Sequence, residues 1–380
     1  MPENSFQSEY SLSGCAGWMR GKDAGSAHIG RDMGATEDAA SRRPAWPDST
    51  AAHSETGSGY LLFYAGCDKV HEQVGLAVSR DGVEFERLPE PIVPVDSGVP
   101  WRDLRTANPA VVCVDERLEL FFQGISTERE HVSIARAVST DGRSFAIDDE
   151  PCLPWRALSG HDRGQSPDTA RTAVFEPSVL HEGDRYRMWF LYFHPPAHSS
   201  NSLFYAESAD GDTWEVASGP LLSGDTFGFC LLHYPQVLPT ADGYDLYFTL
   251  RSRRTLVDGI YRATSRDGLS WSGAEPVLRK PFRMVRSRRN VAAKALNRLA
   301  LPFRPEHGLN VLGYSHPHVL GDAMYIHNDH HSPRGRWHDI ARLERQGRGW
   351  SAPRTVFGPG PEDAWDGFFV ADPYVVANTV

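Results

Sequence analysis

The chain lacks paired cysteines. Its five, Cys15, Cys67, Cys113, Cys152 and Cys230, are widely spaced, and none belongs to a C-x-x-C pair. The odd number and the spacing argue against a disulfide framework or a cysteine-ligated zinc. Cys67 and Cys113 fall in apolar, strand-like runs, which predicts core thiols. Positive charge is also short: 39 Lys and Arg stand against 49 Asp and Glu, a formal net charge of −10. A nucleic-acid binder is basic overall, so no nucleic-acid partner is expected. No apolar run approaches the ~18 residues of a bilayer span, so no membrane partner is expected. The opening "MPENSFQSEYSLSG" has neither the basic nor the apolar region of a secretory signal, which predicts a cytoplasmic address.

What the chain does contain is a repeat. "SRDGVEF", "STDGRSF", "SADGDTW" and "SRDGLSW" place Asp-Gly dyads at Asp81, Asp141, Asp210 and Asp267, 60, 69 and 57 residues apart. Each carries an aromatic residue four positions past the Asp: Phe85, Phe145, Trp214 and Trp271. A worn copy follows at Gln346-Gly347 with Trp350. Asp-Gly supplies the positive φ of a hairpin turn, and the ring is expected to fold back between neighbouring sheets. An alternating strand precedes each turn, as in "VGLAV", "SIARAV" and "LFYAES".

A second signal has the same period. X-Pro followed by apolar residues opens a short strand at "NPAVV", "EPSVL", "YPQVL", "HPHVL" and "DPYVV". A second strand follows four of them: "LELFFQG", "YRMWFLYF", "YDLYFTL" and "AMYIHND". Repeats of this size with about four strands each are propeller blades. The last X-Pro strand ends the chain with no blade after it, while "GYLLFYAG" near residue 59 is a second strand with no first. The two complete each other. The predicted fold is all-β: a five-bladed propeller over residues 58–380, closed by the C-terminal strand pairing with the first blade. Residues 1–57 read as a poorly ordered arm, and residues 279–309 as an insertion rich in Lys and Arg with a helical stretch, "VAAKALNRLAL".

Inner strands line a propeller's channel. Proline is tolerated at the start of a strand and biases the residue before it toward extended backbone. The residues before the five prolines, Asn108, Glu176, Tyr234, His316 and Asp372, are therefore expected to ring one mouth of the channel. Two carboxylates, an amide, a phenol and an imidazole converging on a funnel are the makings of a small-molecule site.

These blades, S-x-D-G-x-x-W hairpins and acids at the openings of inner strands resemble the furanosidase-type propeller glycosidases. Those are glycoside hydrolase families 43, 32, 68 and 117, with the related family 130 of mannoside phosphorylases. "VGLAVSRDGVEFERLPEPIVP" is most similar to sequences of the family 130 and 43 type. The resemblance covers about residues 58–380 and implies an enzyme that cleaves or transfers a glycosyl group with a sugar or sugar-like substrate. It implies that Asp372 in "ADPYVV" is base or nucleophile and that Glu176 in "FEPSVL" stands where the family usually has Asp. It also implies that His316 lies beside a channel ion, often calcium, held largely through waters; no other cofactor is required. Such chemistry needs one carboxyl group ionised and one protonated.

The likeness fails at the general acid. Where the family has Glu in blade four, this chain reads "HYPQVL", with His233 in that position. An imidazole can donate a proton, and Glu176 is the other choice; Asp103, Asp168 and Asp225 are further acids ahead of inner strands. The altered acid keeps open a repurposed propeller that performs an elimination, cyclisation or isomerisation in small-molecule biosynthesis. A non-catalytic binding propeller is a third reading, weakened by acids at several channel positions. Arg251, with Arg253 and Arg254, and Arg286, Arg288 and Arg289 would grip phosphate or carboxylate if they face the channel. Trp101, Trp155, Phe229 and Trp365 are candidate stacking faces for a sugar, Trp101 the foremost. The run "HNDHHSPRGRWHD" reads as a hairpin tip rather than a metal site, since it carries no helical H-x-x-x-H.

Overall fold

The computed structural model describes residues 59–128, 131–158, 173–193, 201–227, 230–252, 258–279, 314–332 and 335–378. The N-terminal arm and most of the insertion, two features read from the sequence, lie outside the described residues. No helix among the described residues is long and apolar enough to cross a membrane.

The structure is built of antiparallel meanders. β1 (Gly59–Cys67), β2 (Glu72–Ser79) and β3 (Phe85–Arg87) form one. β4 (Arg105–Val114), β5 (Arg117–Ile125), β6 (Val132–Ser139) and β7 (Ala146–Ile147) form the next. β8 (Ala173–Glu182), β9 (Arg185–Phe193) and β10 (Ser202–Ser208) follow, with β11 (Glu215–Val216) and β12 (Leu222–Ser223) both on β10. β13 (Cys230–Thr240), β14 (Gly243–Ser252), β15 (Asp258–Ser265) and β16 (Glu275–Arg279) repeat the pattern. So do β17 (Tyr314–Leu320), β18 (Ala323–Ser332) and β19 (Gly335–Gln346), with β20 (Gly349–Trp350) and β21 (Arg354–Phe357) on β19. β22 (Phe369–Asn378) pairs antiparallel with β1, from Gly59 opposite Asn378 to Cys67 opposite Phe369. The X-Pro strands lie side by side: β4 touches β22 and β8, β13 touches β8 and β17, and β17 touches β22.

The repeated hairpin is one hydrogen-bonded device used four times. Ser79 donates its hydroxyl to Asp81 Oδ1 at 3.0 Å and accepts the Gly82 N–H at 2.9 Å, while Asp81 Oδ1 accepts the N–H groups of Val83 and Glu84. Asp141, Asp210 and Asp267 accept the corresponding pairs of N–H groups. These bonds favour the ionised form, so the Asp81, Asp210 and Asp267 carboxyls lie below their usual range. The following glycines have φ of 67° to 76° at Gly142, Gly82, Gly211 and Gly268, a region that other residues occupy only under strain.

Three of the four rings after the turns pack on the preceding meander. Phe145 meets Phe63 edge-on at 5.9 Å, Trp214 meets Phe121 at 5.8 Å, and Phe85 meets Tyr325 at 6.2 Å. The preceding sheet also caps the turn itself: Tyr325 Oη donates to Gly82 O and Trp189 Nε1 to Gly268 O, both at 2.7 Å. The core is thus made between sheets, from Phe121, Tyr186 and Phe190 in one cluster and Phe63, Leu76 and Phe122 in another.

Two sequence expectations are corrected. Cys67 is buried, but Cys113 is exposed: it is the one outward-facing residue near the end of β4, whose neighbours Val112 and Val114 point inward. The residues before the prolines are not extended. Asn108, Glu176, Tyr234, His316 and Asp372 have φ of 51°, 52°, 53°, 50° and 54°. At each the ladder slips, so that the X-Pro pair stands opposite one residue of the partner strand. Proline disfavours the right-handed helical region before it, and the bulge takes the left-handed well instead. Each such residue stores about 1–3 kcal/mol of strain, a density characteristic of functional sites.

Candidate active site

The bulges bring the pre-proline side chains together. Asp372 takes the Nδ1 of His316 at 3.0 Å on one oxygen and the backbone N–H of Asn108 at 3.3 Å on the other. Glu176 has the same pair of partners: Nδ1 of His233 at 3.0 Å and the backbone N–H of Tyr234 at 2.5 Å. The two arrangements are joined, because the Tyr234 ring lies on the His316 imidazole with centroids 4.4 Å apart and planes 20° from parallel. Glu176 and Asp372 are 2% and 4% exposed, and charges so buried demand partners of this kind. All five pre-proline residues named from the sequence, and His233, therefore belong to one connected cluster.

Neighbouring second strands hold the bulged backbone. Gln123 Oε1, on β5, accepts the Glu176 N–H at 3.4 Å, and Thr249 Oγ1, on β14, accepts the His316 N–H at 3.1 Å. Neither residue was singled out from the sequence. A polar side chain within an apolar second strand ("LFFQG", "YFTL") was the available signal.

One residue past four of the five prolines, a second layer ties the strands together; after Pro109 stands Ala110, which offers no polar side chain. Ser178 Oγ accepts the Val237 N–H at 2.9 Å, Gln236 Oε1 accepts the Val319 N–H at 2.6 Å, His318 Nε2 donates to Val375 O at 2.8 Å, and Tyr374 Oη donates to Val111 O at 3.0 Å. Gln236 also donates to Val319 O and to His318 Nδ1, each at 3.1 Å. Burial pushes the His318 imidazole down to about 3, so it sits there neutral. Each link runs from one X-Pro strand to the next, fixing the inner strands against one another beneath the carboxylates.

The two imidazoles of the cluster differ. His233 is engaged at both ring nitrogens, with Nε2 lying 3.4 Å from the amide nitrogen of Asn201. His316 Nε2 makes no hydrogen bond to a described residue. The side-chain oxygen of Asn108 is likewise buried without a partner among the described residues.

Other described residues named from the sequence have partners of their own. The Trp101 ring covers Gly124 and packs on Phe122 at 6.1 Å, and its Nε1 donates to Asp149 O. The glycine opposite leaves room for the indole. Trp365 stacks on Tyr64 and Trp155 on His131. Arg251 is half-buried near the end of β14, opposite Leu231. Asp103 is occupied by the N–H and hydroxyl of Thr127 at 2.7 and 2.6 Å. Arg253, Arg254, Arg286, Arg288, Arg289, Asp168 and Phe229 lie outside the described residues. The histidine run is not a loop tip throughout: His327 and His338 are buried in β18 and β19 and hydrogen-bond to each other.

Among the described residues no group of three or more His, Cys, Asp or Glu is arranged to hold a metal. Calcium takes six to eight oxygens, so an ion beside His316 would draw its ligands largely from waters, as the resemblance implies, and not from the imidazole.

No family model and no curated protein matches the chain. Solved structures do. A thermostable family 43 glycoside hydrolase superposes with a TM-score of 0.50 at 14% identity, over 81% of this chain and 93% of the other. A second structure described as a glycoside hydrolase gives 0.52 at 13%, over 79% and 89%. The family 32 β-fructofuranosidase of Bombyx mori gives 0.51 at 12%, over 80% of this chain and 61% of the other. The chain has the propeller fold of these glycosidases; at such identity the likeness is one of fold.

Proposed function

We propose that the chain is a carbohydrate-active enzyme. In this reading it is a closed five-bladed propeller, and a glycosyl group is cleaved or transferred in a funnel ringed by β22, β4, β8, β13 and β17. Asp372 is the base or nucleophile, with His316 Nε2 as the open nitrogen through which a proton is exchanged. Glu176, whose two oxygens both accept hydrogen bonds, stabilises the positive charge that develops at the anomeric carbon. Asn108 and Tyr234 contact the substrate. The observation that carries the reading is the junction of both carboxylates through the Tyr234–His316 stack, supported by the glycosidase fold.

One observation favours a second reading. His233 stands where related propellers have their acid, yet both its nitrogens have protein partners. A step that needs no acid there, such as elimination, cyclisation or isomerisation of a non-sugar metabolite, suits the same cluster. Release of nitrophenol from a panel of aryl furanosides and pyranosides, with and without inorganic phosphate, tests the two. Phosphate-dependent release identifies a phosphorylase, and phosphate-independent release a hydrolase. Release from none, with turnover of a non-sugar metabolite, selects the second reading.

A further inference from the structure

We infer that Asn201 is a positioning residue: it fixes which nitrogen of His233 bears the hydrogen, and so aims that hydrogen at Glu176. The inference rests on Glu176 being the charge-stabilising carboxylate of the proposed reaction.

Asn201 is 2% exposed and stands immediately ahead of β10. Its amide nitrogen donates to Leu232 O at 3.1 Å. A carbonyl oxygen can only accept, so this contact settles which end of the amide is nitrogen. The same nitrogen lies 3.4 Å from His233 Nε2 and offers its second hydrogen there. Nε2 is therefore the acceptor, and the ring hydrogen belongs on Nδ1, where Glu176 Oε1 accepts it at 3.0 Å. A doubly protonated ring would set N–H against N–H at Asn201.

The consequence is one of orientation: with Nε2 facing the amide donor, the Nδ1 hydrogen lies on Glu176 Oε1, while the other carboxylate oxygen accepts the Tyr234 N–H. The matching Asp372–His316 pair has no such cap among the described residues. Asn201 acts from the β8–β12 meander onto β13, so the cap depends on two sheets being in register.

Nitrogen NMR of the histidine-labelled full chain tests this, with His233→Gln used to assign the ring. The wild type is expected to show Nδ1 as N–H and Nε2 as a bare acceptor. Asn201→Asp replaces the donor with an acceptor, and both nitrogens are expected to appear as N–H. Asn201→Leu removes the cap without a charge, and an Nε2–H population is expected to emerge. An Nε2–H or doubly protonated ring in the wild type overturns the inference, as does an unchanged ring in Asn201→Asp with circular dichroism intact. If the ring behaves as stated but Glu176→Gln keeps wild-type turnover, the role of Glu176 falls while the tautomer assignment stands.

Discussion

Tyr234 lies flat on His316, 4.4 Å between centroids, and so joins two carboxylate–imidazole pairs, one from the middle of the chain and one from its C-terminal part. Because Tyr234 has φ 53°, Asn, which tolerates that conformation, is the informative replacement. Tyr234→Asn is expected to keep the fold, lose the ~0.5–1.5 kcal/mol of a stacked pair, and reduce turnover. Thermal melts and rate measurements on the same preparation check both parts.

The left-handed bulge predicts an unusual mutational order at Asn108, φ 51°. Asn108→Gly is expected to leave stability within about 0.5 kcal/mol, since glycine adopts this region freely. Asn108→Val is expected to cost roughly 1–3 kcal/mol more, because a β-branched residue resists it. Urea denaturation of the two variants measures the difference. Equal stability contradicts the bulge.

Gln236 satisfies both the N–H and the carbonyl of Val319. Gln236→Leu leaves both buried groups without partners, at about 1–3 kcal/mol each. The expected loss of about 2–6 kcal/mol would appear as a lower denaturation midpoint. A loss comparable to a surface substitution contradicts the inter-strand tie.

His318 gives stability a pH dependence. Burial lowers its folded value to about 3 from an ordinary 6.5, so between those values the unfolded chain binds a proton that the folded chain does not. Its contribution is complete above pH ~6.5 and is lost as the pH falls toward about 3. His318→Gln, which cannot titrate, is expected to flatten this limb of the melting-temperature profile relative to wild type.

Much of the architecture was legible because it repeats. The S-x-D-G turn encodes its own hydrogen bonds, and the X-Pro strands announce the bulged positions. The backbone at those positions was not legible: the local rule for a residue before proline favours extension, and only the partner strand, one residue short at each bulge, selects the left-handed well. Asn201, Gln123 and Thr249 were missed for a related reason. Each acts on a strand of another meander, and nothing in its own neighbourhood records that partner. The packing of Trp101 over Gly124 was not legible either, because an aromatic near an inner strand looks the same whatever lies beneath its ring. The opposite exposures of Cys67 and Cys113 depend on which way each strand turns its face, and an apolar run without strict alternation does not state this.

The central claim is that Asp372 and Glu176 act as one centre. Turnover of the best substrate from the glycoside panel, measured for Asp372→Asn, Glu176→Gln and the double variant, tests it most directly. Each single change is expected to lower the rate by about 10³-fold or more with circular dichroism unchanged, and the double variant to fall little further, as for groups that work as a unit. Full turnover in either single variant, or losses that simply multiply in the double, would contradict it.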